Sequence, residues 1–467
     1  MTTALGFHIG RDFLSWASRG ARYAVNALKE KELRECRVDR LGLANAFFFQ
    51  GFSTSKFAMS RPMRPIASLS MFAGAALSCA ILGAKPRHSG SGDRTADNSP
   101  ISIGVSNVQS GPSQTLGQNL LRGSLAYFEL VNARGGIYGR KVSVLLKDDR
   151  YEPDPAVQNT NELIQKENAF FLFDYVGTPT LTRVLPLLKY YEKEKIVNVA
   201  PFTGADPQRK PPYDKFVFNI RASYREETRA LVHYLYGKGY RRIGFLGQAD
   251  AYGKSGEIGV TDALAELNLK PVETVSYRRN QSFETDMTAQ VRILRQAGAD
   301  AVIAVGVYGP CGAFIRDARM AGWDVPVANV SFVGAEVLLD KLRGASKTTG
   351  KDLTANLINS QVVPSPGDTS YPLVADYRTH LAPENYGFVT LEGWLNAVVV
   401  TEALRRAGPT PSREDFIRAM ESLHGWDLGL GVKLEFSSTS HQGLHRVWLT
   451  RTENGQWVPE EAPEETK

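Results

Sequence analysis

The sequence is poor in residues that build covalent or metal chemistry. Its 467 residues contain three cysteines, Cys36, Cys79 and Cys311. Only Cys311 lies beyond residue 98, so no disulfide or thiolate cluster can form in the larger part of the chain. No metal site is read from the seven histidines. A charge excess is missing from that part too. Residues 1–98 hold 14 Lys/Arg against 7 Asp/Glu, leaving 41 against 42 in the remainder. The formal charge of +6 therefore belongs to the leader, and no nucleic-acid partner is expected, because one would need a basic face on the domain itself. There is no G-x-x-x-x-G-K-[ST] loop for a nucleotide. No Ser/His/Asp order or carboxylate pair marks the loops after the strands. An enzyme is not expected, nor is a cofactor.

What is present begins with an export-type leader. Arg61 and Arg64 precede an uncharged apolar run, Ile66 to Ala84, and a Ser/Gly/charged linker follows. This is the anatomy of a signal peptide over residues 59–84, with a linker over 85–99. Cys79 ends the apolar core and is the candidate for lipidation, although Ala76 stands where a lipid-acceptor motif prefers leucine. An uncleaved run of this length could also tether the chain. Residues 1–58 show no domain pattern and are expected to be non-native or disordered, with Met59 as the natural start.

From residue 100 strands and helices alternate. A strand from Ile101 leads to a helix over roughly Leu116 to Asn132. The pair Gly135-Gly136 ends that helix, and a second strand runs from Val142 to Lys147. Repetition of this unit predicts an α/β protein with parallel sheets covered on both faces. A second series starts near Arg221, where Ser223 and Glu226 form an S-x-x-E capping box. Two doubly wound, Rossmann-like lobes are expected, over 100–219 with 364–430 and over 220–363 with 431–458, leaving a tail at 459–467. Glu453-Asn454-Gly455 is a hairpin turn near the end.

The stretch Gly135, Gly136, Ile137, Gly139, Arg140, followed by Asp148-Asp149, resembles the opening of the leucine/isoleucine/valine-type periplasmic binding proteins (type 1), the substrate-binding components of ABC transporters. The resemblance extends over about 100–458. It implies two lobes joined by a three-stranded hinge, with crossings near 219–221, 362–365 and 428–433, and a ligand in the cleft between them. It also implies an exported, periplasmic monomer that meets a membrane only through its signal or a lipid anchor, with a small-molecule ligand and an inner-membrane ABC permease as partners.

In open α/β sheets the ligand lies beyond the carboxyl ends of the strands. Five loops qualify. Gly177-Thr178 precedes a proline suited to a helix start, where free N–H groups attract an anion or a carbonyl; Thr178 suits either a cap or a ligand contact. Phe202-Thr203-Gly204 resembles the family's carboxylate-binding loop, with Phe202 where a small residue is usual. Tyr252 and Tyr308 are the candidates from two loops of the second lobe. Cys311 follows Tyr308 near a helix start but has no histidine nearby. The fifth loop contains Ser331 and Phe332. Amino-acid binders of this family place an acid at the position of Ser331 to pair with the ligand's ammonium. Without that acid an ammonium would cost on the order of 3–5 kcal/mol, or ~100-fold or more in affinity, unless Glu336 bends in to replace it. The expected ligand is therefore a carboxylate, an amide, or an aromatic or other apolar molecule. The alternatives are a branched-chain or other amino-acid binder and the ligand-sensing domain of a membrane receptor.

Overall fold

The computed structural model describes residues 99–460. The expected leader, signal run and Cys79 lie outside the described residues, as does the tail beyond 460.

The first lobe opens with β1 (Ile101–Asn107), α1 (Gln114–Ala133), β2 (Val142–Asp148), α2 (Pro153–Gln165), β3 (Leu172–Phe173), α3 (Thr178–Tyr190), β4 (Asn198–Val199) and β5 (Val217–Phe218). Its sheet runs β2-β1-β3-β4-β5, all parallel. The second lobe continues with α4 (Tyr224–Gly237), β6 (Ile243–Gln248), α5 (Ala251–Glu266), β7 (Thr274–Tyr277), α6 (Thr288–Gln296), β8 (Ala301–Val305), α7 (Tyr308–Met320), β9 (Val327–Asn329), α8 (Ala335–Thr349) and β10 (Leu357–Gln361). The chain returns to the first lobe for α9 (Pro372–His380), α10 (Phe388–Ala407), α11 (Arg413–Glu421) and the hairpin β11 (His424–Asp427) and β12 (Lys433–Glu435). It ends with β13 (Trp448–Glu453) and β14 (Gln456–Glu460), which extend the second sheet to β14-β13-β10-β9-β8-β6-β7 with antiparallel pairing at that edge. The expected turn at Asn454-Gly455 joins them.

Local chemistry explains the element starts. Ser223 Oγ accepts from Glu226 N, and Glu226 returns the bond to Ser223 N, so the capping box forms and opens α4. Helices α1 and α10 cross at glycines. A Cβ on Gly393 would stand 2.0 Å from Leu120 O, and one on Gly123 would stand 1.9 Å from Thr390 O. The two backbones touch there, and no side chain fits between them.

Two crossings run side by side. Asn219 N donates to His441 O, and Gly443 N and Leu444 N donate back to Asn219 O and Ile220 O. The third crossing lies at Val362-Val363, between β10 and the return to the first-lobe core. The last crossing differs from the expected 428–433. Leu428, Leu430, Leu434, Phe436 and Leu444 all pack in the first-lobe core with Phe218 and Trp394. The chain joins the second lobe only at Val447 and Leu449. The hairpin β11–β12 holds this segment back, and the short alternation of its strands was not read from the sequence.

The lobes are closed on each other. The second-lobe core continues through Leu116, Tyr151, Val176 and Phe202 of the first lobe.

Candidate functional site

The five loops meet at this junction. Gly177 precedes α3 with φ of +105°, and a Cβ there would lie 2.2 Å from the Tyr151 ring. Gly204 is constrained by space alone, since its Cβ would meet Tyr224 at 2.6 Å. The two glycines thus let two tyrosines lie directly on the first-lobe loops. Thr178 does not cap its helix. Its hydroxyl shares a 2.7 Å hydrogen bond with that of Thr203, and both residues are buried. The Tyr224 hydroxyl stands beside these two threonines but meets no partner in hydrogen-bonding geometry. Burial pushes its phenol up to about 12, so it stays a donor.

Five rings form the centre. Phe332 lies 5.0 Å from Phe202, 4.8 Å from Tyr252 and 6.1 Å from Tyr151, and Tyr224 lies 5.2 Å from Tyr252. Phe332 therefore touches rings of both lobes. An apolar or aromatic body suits such walls. Tyr308 is placed elsewhere. Its hydroxyl donates across the cleft to Pro112 O at 2.7 Å, fastening one lobe to the other.

Ser331 sits in a charged network. Its N–H donates to Glu227 Oε2 at 2.7 Å, and its hydroxyl accepts from Arg221 Nη2. Arg221, at the first crossing, is 3.2 Å from Glu227 on the second lobe and 3.3 Å from Glu392 on first-lobe helix α10. Its guanidinium lies 4.7 Å above the Phe202 ring. Ser360 Oγ donates to Glu227 Oε2 at 2.7 Å. Arg221, Glu227 and Glu392 are all buried. Burial lifts Glu392 to about 7, against the pull of Arg221 and with the repulsion of Glu227.

Glu336 does not turn toward Ser331. Its Oε1 accepts from Phe388 N at 2.6 Å, at the start of α10. Cys311 is buried at the start of α7, and burial pushes its thiol up, away from the nucleophilic thiolate. At the rim, Glu152 of the first lobe accepts from Arg279 and Asn280 of the second at 2.7 Å each, and Arg279 also reaches Asp250 at 3.0 Å. A cavity of about 290 Å³ lined by Phe216, Asn219, Glu421 and His441 lies behind the first-lobe crossing and shares no residue with the five loops.

Sequence reasoning did not single out Tyr151, Tyr224, Arg221, Glu227 or Glu392 for the site. Two of them left a signal. Arg221 is the lone charge in Phe216–Ala222 and Glu392 the lone acid in Phe388–Val400, both otherwise apolar or neutral runs. A solitary charge in such a run is rarely buried without a partner, and here each is the other's partner.

Residues 100–456 match the family model described as periplasmic binding protein. A solved structure from Rhodopirellula baltica SH 1, described as a possible leucine/isoleucine/valine-binding protein, is 31% identical with a TM-score of 0.71, over 80% of this chain and 99% of that one. The Leu/Ile/Val-binding protein homolog 3 of Brucella melitensis is 25% identical over 79% of this chain and 95% of its own length. An amino acid binding protein of Pseudomonas aeruginosa is 27% identical, but the match spans only 58% of that protein. The chain belongs to the periplasmic binding protein family, type 1, and within it is similar to the leucine/isoleucine/valine-binding proteins.

Proposed function

We propose that this protein captures a small molecule lacking an α-ammonium group by closing its two lobes, and hands it to an inner-membrane ABC permease. The carrying observation is the charge arrangement at Ser331. The nearest carboxylate in that network, Glu227, already accepts from Arg221, from Ser331 N–H and from Ser360 Oγ. An incoming ammonium would face Arg221, and the second buried carboxylate, Glu392, is held by Arg221 at 3.3 Å and lifted to about 7 by burial, so no fully ionised, unengaged counter-charge is open to it, at a cost of about 3–5 kcal/mol. The five rings favour an aliphatic or aromatic body, and Thr178 and Thr203 offer hydroxyls to a carboxylate or amide. Closure brings the threonines of one lobe and Tyr252 and Phe332 of the other onto one ligand, so ligand favours the closed state. Export to the periplasm and a monomeric state fit this role. A thermal-shift screen of carboxylates, amides, aromatics and α-amino acids tests it, because a ligand that binds only the folded state raises the melting temperature. Leucine, isoleucine or valine giving the largest shift would refute the charge argument and favour the amino-acid reading that the relatives' names carry.

A further inference from the structure

Some buried polar groups of the cleft are fully engaged and others are not. The Glu227 carboxylate is taken up three times over, as above. The Thr178 and Thr203 hydroxyls share one bond with each other. Among the buried groups without a hydrogen-bond partner are Nε and Nη1 of Arg221, the latter only ion-paired with Glu392 at 3.3 Å, the hydroxyl of Tyr224, and the carboxamide of Asn329, two residues before Ser331. Arg221 is 2% exposed and Tyr224 1%. Unsatisfied donors at such depth are costly to keep, more so when one is charged. Arg221 and Tyr224 place such donors at the junction of the five loops, where an acceptor from a ligand would meet them.

Resting on the capture reading above, we infer that Arg221 and Tyr224 receive the anionic group of the ligand, and that the site selects monocarboxylates with an apolar or aromatic body. Arg221 enters from the first crossing with its guanidinium carbon 4.7 Å from the centre of the Phe202 ring, so a carboxylate at its unpaired Nε would have its body beside Phe202 and Phe332. The Tyr224 hydroxyl, beside the two threonines, supplies a neutral donor to the same group. Glu392, 3.3 Å from Nη1, is the rival for the guanidinium. It is surrounded by Arg221 from the crossing, Glu227 from α4 and Asp174 from the loop after β3. Burial raises it to about 7, so near neutral pH it does not oppose an incoming anion with a full charge. An amide would satisfy the same donors without matching the charge of Arg221 and would bind more weakly.

The test uses the full chain and a defined panel: 4-methylpentanoate, phenylacetate and benzoate, their primary amides, and leucine and phenylalanine, measured by isothermal titration. At least one carboxylate is expected to bind, with its amide about tenfold weaker or worse. Tyr224→Phe removes a hydroxyl that has no partner in the free protein. It should leave the melting temperature unchanged and weaken the carboxylate about ten- to a hundredfold, the loss of a hydrogen bond to a charged group. Glu392→Gln removes the rival and should tighten the same carboxylate at pH 8. A merely structural pair of residues would not move affinity in opposite directions. Amides binding as well as acids, or Tyr224→Phe leaving affinity intact, overturns the inference. So does failure of every carboxylate; if mass spectrometry then recovers a bound molecule of another class, the capture reading still stands, and if no small molecule of any class binds, both fall.

Discussion

Replacing Glu336 with glutamine should change how closure depends on pH. In the closed state its carboxylate, on the second lobe, accepts from Phe388 N of the first lobe at 2.6 Å. Burial raises it from 4.5 to about 7, aided slightly by Asp340 on its own helix, while the Phe388 N–H pulls the other way; Tyr377 faces it from the first lobe. Separation of the lobes returns the group to water and to its ordinary value. The sign follows. Below about 4.5 the group is protonated in both states and closure bears no penalty. Between 4.5 and about 7 the open state loses the proton first, so closure weakens as pH rises. Above about 7 both states are ionised and the penalty is constant. The full difference corresponds to about 3 kcal/mol. That figure is an upper bound, because Glu336 also borders an open groove with Asn119, Asp340 and Gly387 that admits water. Lobe separation is measurable by a fluorophore pair with one dye on each lobe, titrated from pH 4.5 to 8 with a fixed ligand concentration. The wild type should open as pH rises. Glu336→Gln keeps an oxygen acceptor for Phe388 N and should remove most of that slope. An unchanged slope in the variant would refute the assignment of the titrating group.

Three further outcomes are expected. Gly393→Ala forces a methyl to within 2.0 Å of Leu120 O at the α1–α10 crossing and should cost about 3 kcal/mol in urea denaturation. Asp174 is buried with its oxygens on Ser124 and Asn396, and burial raises its pKa well above the ordinary range. Its contribution to stability therefore declines as pH rises above 3.8, and Asp174→Asn should be more stable than the wild type at pH 8 while differing little at pH 4. Cys311, fully buried with its thiol pushed up, should resist maleimide in the native protein and react only after unfolding.

Much of the architecture was legible because it rests on local patterns. The strand–helix alternation, the glycine stop at Gly135-Gly136, the Ser223 capping box and the Asn454-Gly455 turn each act over a few residues, and each is found in the structure. Elements without such punctuation were harder to read. The hairpin β11–β12 has only short strands, and missing it displaced the last crossing by more than ten residues. Helix α7 begins at Tyr308, because Pro310 is tolerated in a first turn and does not delay the start. The loops of the site were visible as strand ends. Their partners were not. Glu227 follows a capping box that accounts for its neighbour Glu226, and nothing local shows that it will meet Ser331, 104 positions away. Tyr224 and Tyr151 are placed by glycines in other loops. These are pairings between distant segments, and one sequence contains no record of distance.

On the proposed function, this scaffold holds a solute other than an α-amino acid. The most direct measurement is native mass spectrometry of the protein purified from its own cells, followed by release and identification of whatever is bound. The prediction is one small molecule per chain, bearing a carboxylate or amide and an apolar or aromatic body, without an α-ammonium group. Recovery of leucine, isoleucine or valine at one per chain would contradict it.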